Sequence, residues 1–264
     1  FVSLAVVTLA VFVVVKEYVL SVLIGPFLAI GFVILAMFVL ILFWRMPKNG
    51  DKNHNIDFVP TLRRIFAMPH YREGVIAQFF YVGVQIMCWT FIIQYGTRVL
   101  MADGMAEQAA EVASQQYNIL AMIIFCCSRF ICTFLLRYVN TGRLLTVLAI
   151  VGGLLVVGVI GLQNIYGLYC LVGVSACMSL MFPTIYGIAL TGLGDDAKFG
   201  AAGLIMAILG GSVLPPFQAA IIDQVELLGM PAVNVSFILP FVCFVVIAIY
   251  GHRTFLRSKG QLGG

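Results

Sequence analysis

The chain has 264 residues, 62% hydrophobic and only 10% charged, with a formal charge of +4 and a mean hydropathy of +1.08. Soluble domains carry about 25% charged residues and under half apolar ones, so a water-soluble globular fold and a disordered chain are both excluded. The modest positive charge gives no reason to expect a nucleic-acid partner; the expected surrounding is a lipid bilayer.

In chain order, residues 1–15 read as the remainder of an apolar span cut at its start, with no basic segment before it to mark a signal peptide. Seven longer apolar runs follow, at residues 20–44, 75–97, 115–136, 144–162, 166–190, 199–222 and 233–250. Each is long enough to cross a hydrocarbon core of about 30 Å as a helix. Helices are the only reading, because backbone groups in lipid must be satisfied internally and continuous runs lack the alternation of barrel strands. The polar stretch 45–74 contains linker-like Pro47 and Gly50, then a short amphipathic helix over 61–67 (TLRRIFA). The expected fold is an all-α polytopic membrane protein with a six-helix bundle at 75–251. It is preceded by the end of another bundle at 1–44 and an inter-bundle linker at 45–74, and followed by a tail at 252–264.

Charge sets the orientation. Twelve of the fifteen basic residues lie on one side of these spans, in the linker, beside Arg137 and Arg143, at Lys198 and in the tail. The other side holds only Lys16 and Arg98, and Arg129 lies inside a span. The positive-inside rule makes the basic side cytoplasmic, so the C-terminus is expected there, with the protein a multi-pass resident of a bacterial cytoplasmic (inner) membrane. The seven cysteines all fall within apolar runs and read as packing residues.

The polar groups inside the spans point to chemistry. Gln78, Tyr81, Gln85 and Trp89 are spaced 3, 4 and 4 apart, which places them within about an 80° arc of one helix face. Two carboxamides and a phenol suit sugar hydroxyls, and an aromatic face suits the C–H side of a sugar ring. The competing reading is that they bond neighbouring helices or sit as interfacial aromatics. On the next span Asn118 is expected to touch either ligand or helix. Arg129, roughly 12 Å in from Arg137 along the helix, reads as a gate near the cytoplasmic mouth, since an intramembrane arginine defaults to a functional or paired role. Phe182 and Tyr186 share a face with Met178 and Ser179 beside Pro183, with Tyr186 the stronger ligand candidate. Gly203, Ala207 and Gly211 stand at four-residue steps, a pattern that lets helices approach and slide, though static packing uses the same residues.

Two other patterns lead nowhere. The run Gly192-Leu193-Gly194-Asp195 matches an intramembrane aspartyl protease signature, but that chemistry needs a second carboxylate, and the sequence offers none within a span. His54, His70 and His252 all sit in polar stretches without ligand spacing, so neither a metal nor a cofactor is expected, and the chain is not expected to be an enzyme.

These residues carry a resemblance. The stretches AQFFYVGVQIMCWTFIIQY, Ser128–Arg129–Phe130, MSLMFPTIYGIALTGL and GDDAKFGAAGLIMAILGGSVLPPFQAAIID together resemble the C-terminal half of the fucose:proton symporter family of the major facilitator superfamily. The linker RMPKNGDKNHNID is similar to those of sugar permeases from gut-type bacteria. The resemblance implies two six-helix bundles, a central sugar site and rocker-type alternating access, with a missing N-terminal half as partner and the proton as coupling ion. On that mapping residues 20–44 form the sixth helix, Gln78, Tyr81, Gln85 and Trp89 the polar face of the seventh, and Tyr186 falls on the tenth. Ser128 stands where the family usually has glycine, and Arg137 and Arg143 resemble a degenerate copy of the basic loop motif that locks the inward gate. Family members place their proton-carrying carboxylates in the N-terminal half, so here the carrier is in that half or the chain is not proton-coupled. The expected function is therefore sugar:proton symport of L-fucose or a related hexose. The alternatives are a proton-independent facilitator or exporter of another small polar solute, a membrane enzyme, or a sensor.

Overall fold

The computed structural model describes residues 28, 31–40, 58–136, 138–224, 226–227 and 229–262. Residues 1–15, most of 20–44, the linker up to residue 57, and Arg137 lie outside the described residues. The contacts divide the chain into two units, Phe1–Ile56 and Asp57–Gly264. In the first, Gly31–Leu40 forms an apolar helix, α1.

In the second unit, among the described residues, six helical segments are long and apolar enough to cross a membrane. They are built from α3 (Pro69–Ala102), α4 (Glu107–Leu135), α5 (Thr141–Gly161), α6 with α7 (Ile165–Met178, Met181–Leu190), α8 with α9 (Ala197–Met206, Gly210–Ile222), and α10 with α11 (Ala232–Ser236, Ile238–Leu262). The amphipathic linker helix expected at 61–67 is present as α2 (Phe58–Ala67). Glu226–Leu227 and Met230–Pro231 pair as a minimal antiparallel ladder before α10. Several helices outrun their apolar windows. α3 begins at Pro69 rather than near 75, and α11 continues through the expected tail to Leu262. Ion pairs join the two extensions. Arg253 and Arg257 on the extension of α11 both reach Glu73 on the extension of α3, at 3.0 and 3.1 Å.

The helix α3 is the centre of the bundle. It packs against α4, α6, α7, α9 and α11, and Tyr81, Val82, Gly83 and Val84 are buried in succession, so it has no open face at that level. By contrast α4 buries only Ala110, Ser114, Ala121 and Cys132, a single stripe. The cysteines divide accordingly: Cys88, Cys132, Cys177 and Cys243 are buried packing residues, whereas Cys126 and Cys127 are exposed on α4. Helix ends are closed by side chains. Asn140 accepts from the backbone N–H groups of Gly142 and Arg143 at the start of α5, and Asn164 from that of Tyr166 at the start of α6. The far end of α5 is met by Tyr95, whose hydroxyl reaches the carbonyls of Val159 and Leu162 at 3.2 and 2.6 Å, and by Asn234 on α10.

Two of the sequence irregularities resolve at the backbone. Pro183 sits in the first turn of α7, where its missing N–H costs nothing, and the break falls upstream at Ser179–Leu180 between α6 and α7. At the end of α7, Gly192 takes φ +83°, a left-handed conformation open to glycine at small cost. The run that resembles a protease signature continues into a single 3-10 turn, Gly194–Asp196. There Asp196 accepts from Arg64 of α2 in bidentate fashion at 2.6 and 2.7 Å.

That ion pair straps the linker helix to the bundle. The Arg64 side chain is 62% exposed, so the pair contributes at most about 1 kcal/mol, and the buried Ile65 supplies the remaining attachment. Asp196→Asn should therefore leave the unfolding temperature within a few degrees while raising amide exchange in Phe58–Ala67 several-fold. Unchanged exchange there, measured by mass spectrometry, would show that Ile65 alone holds α2.

Candidate functional site

The candidate site is built on α3, with α4, α6 and α7 around it. Gln78 and Tyr81 are fully buried, whereas Gln85 and Trp89 are half-buried. Tyr81 donates its hydroxyl to the Met178 carbonyl at 2.9 Å, at the break between α6 and α7. Trp89 donates from Nε1 to the Ser175 hydroxyl of α6 at 3.2 Å. The polar heads of these two aromatics thus bond neighbouring helices, the use the competing reading assigns them. The carboxamides differ. Both amide atoms of Gln78 are buried without a partner, and Gln85 makes no side-chain hydrogen bond among the described residues.

Two aromatic series extend from α3. Tyr81 meets Phe182 edge-on at 6.1 Å, and Phe182 stacks on Tyr186 at 6.3 Å with planes 10° apart. Trp89 meets Phe125 edge-on at 5.0 Å, and the Arg129 guanidinium lies over Phe125 at 5.5 Å, a cation–π contact. Arg129 makes no ion pair among the described residues. Asn118, two helical turns from Phe125 on the same helix, is half-buried with its Oδ1 unpartnered. Three helices that carry expected site residues therefore meet, with Phe182 and Tyr186 of α7 against Tyr81 and Phe125 of α4 against Trp89.

The remaining expected residues lie elsewhere. Arg143 is exposed at the start of α5. Gly203 abuts the Tyr71 hydroxyl and Gly211 abuts Val82 and Ile86, so the small-residue stripe of α8 and α9 is spent on α3. Among the described residues no cluster of histidine, cysteine, aspartate and glutamate is fit to hold a metal.

Two buried polar residues escape the sequence reading. Thr184, on the helix that packs along α3, has a buried hydroxyl without a partner. Gln218 of α9 donates to Ser236 at 3.1 Å, leaving its own Oε1 unpartnered. Ser128, where glycine is usual, donates to the Ala176 carbonyl at 3.0 Å and lies 3.2 Å from the Ser179 hydroxyl. Its hydroxyl turns a lost close contact into a hydrogen bond at the helix break. The signal available was the presence of polar residues in otherwise apolar runs, which marks buried polarity without giving its partner.

A bundle with a polar and aromatic central helix, a broken helix beside it and wide outward faces is the arrangement found in membrane transporters. No protein-family model matches the chain. Among solved structures, a major facilitator superfamily transporter, FucP, in its outward conformation superposes with a TM-score of 0.74 at 26% identity, over 93% of this chain and 59% of that one. The fold is therefore that of a major facilitator superfamily bundle. The L-fucose-proton symporter of Haemophilus influenzae is 51% identical over 237 residues, 89% of this chain and 53% of that protein. A glucose/galactose transporter of Brucella abortus is 29% identical over 182 residues, 69% of this chain and 42% of that protein. The chain spans about half the length of the curated relatives it matches. Over that half it is similar to the L-fucose-proton symporters of Haemophilus influenzae and Escherichia coli.

Proposed function

We propose that this chain is the C-terminal bundle of a secondary active transporter that carries L-fucose or a related hexose together with a proton by alternating access. The observation that carries the reading is Gln78. A buried carboxamide with both atoms unpaired costs about 1–3 kcal/mol, and a sugar hydroxyl pair satisfies a donor and an acceptor at once. Gln78 and Gln85 are the hydrogen-bonding pair, and Asn118 reaches the same ligand from α4. Phe182 and Tyr186 present ring faces, while Tyr81 and Trp89 act chiefly by positioning α6 and α7. Arg129, held over Phe125, is a positioning residue at the inward mouth, and Arg143 with Arg137 belongs to the inward closure.

In this reading residues 1–44 end an N-terminal bundle, 45–74 link it to the second, and 252–264 form the cytoplasmic end. The partner is the N-terminal bundle, which holds the proton-carrying carboxylate; the protein is a transporter and not an enzyme, needs no cofactor, and lies in the inner membrane with its basic side inward. The fucose assignment leans on the Haemophilus relative, and the Brucella relative names the competing hexoses.

The test uses the full-length protein in proteoliposomes with external pH recorded while L-fucose, D-galactose and D-glucose are added in turn. Symport draws protons inward with sugar, so external alkalinisation with L-fucose alone is expected. Entry of L-fucose without a pH change would make the protein a facilitator, and no uptake of any hexose would remove the sugar assignment.

A further inference from the structure

The groove between α5 and α11 has no part in the site above. It encloses about 460 Å³ and is lined along its length by Ile150, Gly153 and Leu154 from one helix and Val245 and Ile249 from the other, with His252 and Arg253 at one end. The four larger of these apolar side chains are exposed, so the groove opens outward. It runs from Phe241 to Arg253, about 18 Å of helix, close to half the roughly 30 Å hydrocarbon thickness of a bilayer. One leaflet's worth of acyl chain fits it.

The mouth is basic. Arg143 precedes Thr146 by three residues on the α5 stripe that lines the groove, is exposed, and has no ion pair among the described residues. Arg253, 56% exposed, shares Glu73 with Arg257, so one carboxylate balances two guanidiniums. His252 is exposed beside them. A zwitterionic headgroup brings its own cation to this mouth, whereas an anionic headgroup supplies the missing negative charge. Basic pockets between spanning helices at headgroup level hold anionic lipid headgroups in this way.

We propose that the α5–α11 groove is a binding site for an anionic phospholipid, one acyl chain lying along Gly153 and its phosphate meeting Arg143 and Arg253. The site needs only that the bundle span a membrane and is independent of the sugar carried. Each basic residue near a membrane surface contributes appreciably to anionic binding, so two arginines give roughly a tenfold or greater preference over a neutral lipid of the same chains.

Native mass spectrometry of the full-length protein, offered equal amounts of palmitoyl-oleoyl phosphatidylglycerol and phosphatidylcholine, should retain the former at least about tenfold over the latter. The double variant Arg143→Gln/Arg253→Gln should bring the two to parity. Gly153→Leu should reduce both, since a Cβ there meets Phe244 and Phe241 only at 3.6 and 3.9 Å and the added side chain extends into the groove. As a readout that needs no variant, phosphatidylglycerol with a photoreactive acyl chain should label 150–154 and 245–249 of the wild-type protein. Equal retention of the two lipids by the wild type, an unchanged preference in the double variant, or labels confined to other helices would each overturn the proposal.

Discussion

Gln78→Leu is expected to raise the unfolding temperature of the full-length protein and at the same time weaken sugar binding about tenfold to a hundredfold. The two effects share one cause. Gln78 is fully buried and its amide oxygen and nitrogen have no partner among the described residues. Leucine of similar volume removes a desolvation cost of about 1–3 kcal/mol, which in a domain of this size corresponds to several degrees. With sugar bound, the same amide would supply a donor and an acceptor, and sites built to hydrogen-bond a hydroxyl lose heavily when the group is absent. Thermal unfolding with and without sugar, and direct sugar titration, read both arms. A stabilised variant with unchanged affinity would remove Gln78 from the site. A destabilised one would mean that the amide is satisfied within the bundle.

Gly210→Ala is expected to destabilise the protein by about 1–3 kcal/mol or more, the scale of an overpacked core. A Cβ at this position would collide with the Phe79 carbonyl oxygen and lie 2.8 Å from its carbonyl carbon. Those atoms belong to the backbone of the central helix, which cannot rotate aside as a side chain can. The methyl group would therefore push α9 off α3 one residue beyond Gln78. Gly161→Ala is the control. Nothing lies within 4 Å of that position, so the same substitution should change stability by less than about 1 kcal/mol. Chemical unfolding followed by circular dichroism distinguishes the two; equal losses would mean that the α3–α9 contact yields easily.

Where the spans lie was plain from apolar length, because lipid leaves a long apolar run one way to satisfy its backbone. Where they stop was not. Polar extensions such as Tyr71–Glu73 and Arg253–Arg257 are joined by ion pairs between residues 180 and 184 apart in sequence, and no local pattern announces these. The stripe on α3 shows a second limit. A helical-face argument supposes one buried side and one open side, yet α3 is buried all round at 81–84. Residues on one arc therefore meet different neighbours at each turn, so Tyr81 and Trp89 found acceptors on α6 while Gln78 found none. The four-residue glycine spacing points to close approach but does not name the surface approached, which for Gly203 and Gly211 is α3.

The break at Ser179–Leu180 divides one membrane crossing into two rods that need not tilt together. The upper rod, α6, is held at its broken end by Tyr81, Ser128 and Trp89 through Met178, Ala176 and Ser175. The lower rod, α7, carries Phe182 and Tyr186 and is tethered at its far end where His70 meets the Thr191 carbonyl at 3.0 Å. A displacement at that far end would reach the aromatic pair as a tilt of α7 about the break, where the upper rod is anchored by three side chains. Over the roughly 15 Å length of α7, a small change at Thr191 would thus be felt at the rings of Phe182 and Tyr186 before it was felt in α6.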